Sequence, residues 1–69
     1  GYRVRLYQLR EHLPEISKQR INQALLSMQA RGEMSLLAAE YLKEINTDDE
    51  AAAIDMGGGD KRYFAYMKR

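Results

Sequence analysis

The sequence predicts a small α+β domain, on the strength of three features of its pattern. Near the start the period changes: Tyr2, Val4 and Leu6 alternate with Arg3 and Arg5, then Leu6, Leu9 and Leu13 fall at i, i+3 and i+7. Alternation marks a short strand with one wet face, and the wider spacing marks one stripe of a short helix. Next, a long segment from Ser17 to Arg31 carries a helical apolar stripe and is closed by Gly32. Finally, "GGGD" at 57–60 breaks the chain before "KRYFAYMK", which reads as a last strand rich in aromatics.

Each element follows from local chemistry. The first helix, Tyr7–His12, ends before Pro14, because a proline disfavours helical geometry in the residue preceding it. Ser17 is a good N-cap, its hydroxyl able to accept from an exposed N–H of the next turn. At about 100° per residue, Ile21, Ala24, Leu25 and Met28 share one face of the second helix. Across it lie Gln19, Asn22 and Gln23, then Leu26 and Ala30, so its back is polar first and apolar later. Gln19, Asn22 and Gln23 are expected to stay free, and Leu26 and Ala30 to be covered. Gly32 suits the left-handed turn that ends a helix. After it, a strand over 33–38 competes with a helical reading in which Met34, Leu37, Ala38, Tyr41, Leu42 and Ile45 form a stripe. The strand is favoured by the order of elements. "NTDDEAAAI" carries a capping-box signature, Thr47 with Glu50, predicting a short helix from Asp48 to about Ala53.

The totals narrow the functions available. A chain of 69 residues suits one domain over 1–69 with one small core. Gly1 reads as a residue left by cloning, and the chain as a domain excised from a longer protein. With no cysteine and the lone His12 there is no disulfide framework and no zinc site. Absence of cysteine fits an intracellular, cytoplasmic protein. Eleven basic against ten acidic residues exclude a broadly basic nucleic-acid binder and leave room for a local patch. No apolar run is long enough to span a membrane.

The stretch "VRLYQLREHLPEISKQRINQALLSMQARGEMSL" resembles the winged helix-turn-helix family. Strand, short helix, turn at Leu13–Ile16, longer helix and the "ARGEMSL" exit towards a β-hairpin follow that family's order. The resemblance covers the first half well and the rest loosely: Ala39–Lys61 is long for a wing and contains "TDDE". It implies that Ser17–Arg31 is a recognition helix for the major groove of double-stranded DNA, in a module that regulates transcription. In such a groove Gln and Asn amides pair with adenine edges, and Arg or Lys with guanine. On that view Gln19, Asn22 and Gln23 face bases. Lys18 and Arg20 flank them, and Ser17 holds a phosphate at the positive helix end. Lys61 and Arg62, placed at a hairpin tip, straddle the neighbouring phosphate strand. The bland alternative is a solvated helix face.

Other motifs point to structure rather than chemistry. Asp48, Asp49 and Glu50 suit the first turn of a helix, where the dipole favours acids. "GGGDK" lacks the ending of a phosphate-binding loop and reads as a tight turn. Tyr63, Phe64 and Tyr66 are able to stack on bases, with packing the default. The basic pairs Arg3/Arg5 and Lys68/Arg69 read as solubility charge. No constellation supports catalysis, and no cofactor is implied, so the chain reads as a non-enzyme. The alternative function is a protein-interaction or homodimerisation module, supported by near-neutral charge, "TDDE", and the apolar Leu26 and Ala30.

Overall fold

A computed structural model describes residues 1–68. The chain forms β1 (Tyr2–Arg5), α1 (Leu6–His12), α2 (Lys18–Ala30) and β2 (Met34–Leu37). A 3-10 turn (Leu42–Glu44) leads to α3 (Thr47–Ala52), then β3 (Ile54–Asp55), β4 (Lys61–Arg62) and β5 (Phe64–Met67). This is an α+β domain with antiparallel sheets. β5 lies in the middle of a sheet of order β1-β5-β2, and β3 pairs with β4 in a separate ribbon.

The register sorts the sheet into two faces. Val4 and Leu36 both sit opposite Ala65, and Met34 sits opposite Met67; these residues share the face that packs on α1 and α2. There Leu6, Ile21, Leu25, Met34, Leu36 and Ala65 are buried together. Arg5 and Leu37 lie opposite Phe64 on the other face, because side chains alternate along a strand. Phe64 is 1% exposed, and the Arg3 and Arg5 guanidinium carbons stand 4.2 and 5.3 Å from its ring centre. Cations over an aromatic face are attracted by its quadrupole while the ring loses its water. Arg5 Nη1 then donates to Asp49 Oδ2 at 2.6 Å and to the Glu44 carbonyl at 3.0 Å, fastening the segment after β2 over this face.

Helix ends explain the boundaries. Ser17 caps α2, its Oγ accepting from the Arg20 N–H at 3.2 Å. At the other end Gly32 takes φ 76, its N–H donating to the Gln29 carbonyl and that of Glu33 to the Met28 carbonyl. This paired closure requires a left-handed residue, which glycine adopts without a Cβ penalty.

Several expectations need correction. Asn46, not Thr47, caps α3: its Oδ1 accepts from the Asp49 N–H at 2.8 Å, and Asp49 Oδ2 accepts from the Asn46 N–H at 3.0 Å. The acidic member of the box is thus Asp49 rather than Glu50, and α3 starts and ends one residue early. The last strand is two strands, split at Tyr63, whose N–H donates to the Leu37 carbonyl and whose carbonyl accepts from the Leu6 N–H. Lys61 and Arg62 therefore lie in β4 and not at a tip, which is the turn Gly57–Asp60. Ala24 is exposed, and so are Leu26 (38%) and Ala30, which nothing in the described chain covers. The strand after Gly32 does form, over Met34–Leu37.

Candidate functional site

The first turns of α2 place the predicted contact residues on two different sides of one helix. Successive residues turn by about 100°, which lines up Gln19, Gln23, Leu26 and Ala30 as an outward ridge with Arg20 beside it. Gln19, Arg20 and Gln23 are exposed, and none of their side chains hydrogen-bonds to another described residue. Ser17 is exposed at the N-terminal cap of α2, its hydroxyl engaged in capping.

Lys18 and Asn22 lie round the helix towards α3. Lys18 Nζ donates to the Ala51 carbonyl at 2.8 Å. Asn22 is half-buried, and its Oδ1 accepts from Arg10 Nη2 at 2.5 Å. The same guanidinium donates to the Ala52 carbonyl through Nη2 at 2.9 Å and Nε at 3.2 Å. Two cations thereby satisfy carbonyls in the last turn of α3 that have no helical partner, at the negative end of its dipole. Burial pushes the Arg10 guanidinium below its usual range. Asn22 is thus a strut between α1 and α2 and not a free amide, contrary to expectation.

The basic residues of β4 are engaged as well. Lys61 Nζ donates to Glu50 Oε1 at 2.6 Å, and the Tyr63 hydroxyl donates to Glu50 Oε2 at 3.1 Å. The Lys61 hydrogen bond, followed by that of Tyr63, holds the Glu50 carboxyl below the ordinary carboxylate range, and Glu50 raises the Lys61 ammonium in return. Arg62 forks onto Asp60 at 3.0 and 2.9 Å and donates through Nη1 to the Leu36 carbonyl at 2.7 Å. Both charges are therefore paired with side chains of the domain itself. Arg69, the partner of Lys68 in the basic pair, lies outside the described residues.

The ridge offers paired donors and acceptors on two amides, one cation, and an apolar end at Leu26 and Ala30. Among the described residues no group of three or more His, Cys, Asp or Glu side chains is placed to hold a metal, and no helix is long and apolar enough to cross a membrane. Arg10 ties this corner of the fold together, and its partners Lys18, Asn22 and Ala52 lie 8, 12 and 42 residues away, too far along the chain to leave a local pattern in the sequence.

No family model, curated protein or solved structure matches the chain.

Proposed function

We propose that this domain is a winged helix-turn-helix module that binds double-stranded DNA through α2, with Gln19 and Gln23 reading base edges and Arg20 reaching phosphate or guanine. The observation that carries the reading is the exposed trio Gln19, Arg20 and Gln23, side by side, whose side chains hydrogen-bond to none of the described residues. What supports it in the architecture is the order of strand, helix, turn and capped helix, followed by a strand, β2, that pairs antiparallel with β5. Lys18, Asn22, Lys61 and Arg62 drop to secondary roles, because each first has to release an internal partner.

This arrangement predicts weak, shallow salt dependence rather than tight binding. Each neutralised phosphate contributes about −0.9 to the slope of log K against log salt. With Arg20 as the cation beside the ridge, the slope should be about −1 to −2, far from that of a heavily basic protein. Titration with duplex DNA at about 0.05 and 0.2 M salt measures it. Gln23→Ala should weaken a preferred duplex by about 1–3 kcal/mol, whereas Lys61→Ala should change little. Absence of duplex binding at the lower salt would refute the reading. A second reading, docking of a partner protein or a second copy on the same ridge, is favoured by the uncovered Leu26 and Ala30. It predicts loss of self- or partner association in Leu26→Ser with duplex titration unaffected.

A further inference from the structure

Beside the ridge, on the flank of α2 that faces α1, the core is left open. A groove of about 320 Å³ is lined by Leu9, Leu13 and Ile16, by Ala24 and Met28 of α2, and by Met67 of β5. The large side chains among these are half-buried against the core, and Ala24 is exposed, so an apolar strip continuous with the interior meets solvent. The charged residue in its lining is Arg20, and among the described residues no carboxylate lines it. Two helices converging on an apolar floor make the shape into which an amphipathic helix lays one face. Met28 and Met67 give that floor unbranched, adaptable side chains.

The charge decides between occupants. In an isologous pair each copy presents the same patch to the other, so Arg20 of both copies would be brought into one apolar seam without a counter-ion. A partner bearing a carboxylate supplies what the groove lacks. We propose that this groove receives an amphipathic helix of a partner protein, its apolar stripe on Leu9, Leu13, Met28 and Met67 and an acidic side chain paired with Arg20. The groove shares Arg20 with the outward ridge and is otherwise lined by different residues, and the proposal stands whether or not the ridge binds DNA.

The test uses the 69-residue chain and three synthetic helices of about five turns each. One has a leucine stripe flanked by Glu, one the same stripe flanked by Lys, and one the Glu composition in scrambled order. Binding is followed by anisotropy and by the methyl resonances of Met28 and Met67. The Glu-flanked helix should shift both methyls and bind about tenfold tighter than the Lys-flanked one, with the scrambled peptide weakest. Arg20→Glu should reverse the preference. Ala24→Glu, a change at an exposed helical position, should weaken the Glu-flanked helix several-fold while the circular dichroism stays the same. Equal affinity for both flanking charges, or methyl resonances that stay put with all three peptides, would overturn the proposal. So would methyl shifts that appear on concentrating the protein alone, which would make a second copy the occupant.

Discussion

Asp49 is 1% exposed, yet it carries a carboxylate into the space between α3 and the sheet. It is held there by Arg5 at 2.6 Å and by the Asn46 N–H. Removing one partner of such a pair leaves the other without its counter-charge in a place water reaches poorly. Arg5 keeps 29% of its side chain exposed, so the penalty for Asp49→Ala should be smaller than for a fully buried pair, about 2–3 kcal/mol. Urea unfolding measures it, and Arg5→Met in the same chain should recover part of the loss. Glu50 sets a different dependence. Its folded carboxyl lies below the ordinary value of 4.5, chiefly through Lys61. The unfolded chain therefore takes up the proton first on acidification. The stability that Glu50 contributes is complete above the unfolded value and is lost as pH falls through the folded one. Glu50→Gln should lower the urea midpoint slightly at pH 7 and make its decline between about pH 5 and 3 shallower.

At the scale of elements, caps and turns govern what can be read. Gly32 stands at φ 76, so Gly32→Ala should cost about 1 kcal/mol or more, and Gly32→Asn less, as thermal unfolding would register. Ser17 and Gly32 announce α2 because both act on neighbours along the chain, within the few residues a sequence pattern spans. The start of α3 is harder. Asn46 and Thr47 are both good caps, and moving the cap by one residue changes which acid closes the box. Asn46→Ala should therefore cost about 1 kcal/mol, with Thr47→Ala nearly silent in the same unfolding assay. The split at Tyr63 is invisible beforehand, since "KRYFAYMK" is apolar and aromatic enough for one strand. What breaks it is a pair of hydrogen bonds to Leu37 and Leu6, residues remote in sequence. Likewise the amides of α2 look alike in the sequence, and the remote Arg10 turns Asn22 inward while Gln19 and Gln23 stay out.

Across the whole molecule, β2 is an edge strand that does not behave as an open one. The Leu36 N–H donates to Gln29 Oε1 at 2.8 Å, and its carbonyl accepts from Arg62 at 2.7 Å. Two side chains occupy the groups that a foreign strand would otherwise pair with. Gln29→Ala combined with Arg62→Ala should leave the fold in place and let the protein self-associate at high concentration, which sedimentation velocity would detect. The same strand order has a consequence for how the chain is made. β1 and β2 never touch as neighbours; each meets only β5, contributed by residues 64–67. A nascent polypeptide halted at Arg62 would hold two lateral strands with an empty slot between them. Residues 1–62 alone should therefore stay largely unfolded, and adding a synthetic fragment covering 63–68 should restore the fold, a gain that circular dichroism would register.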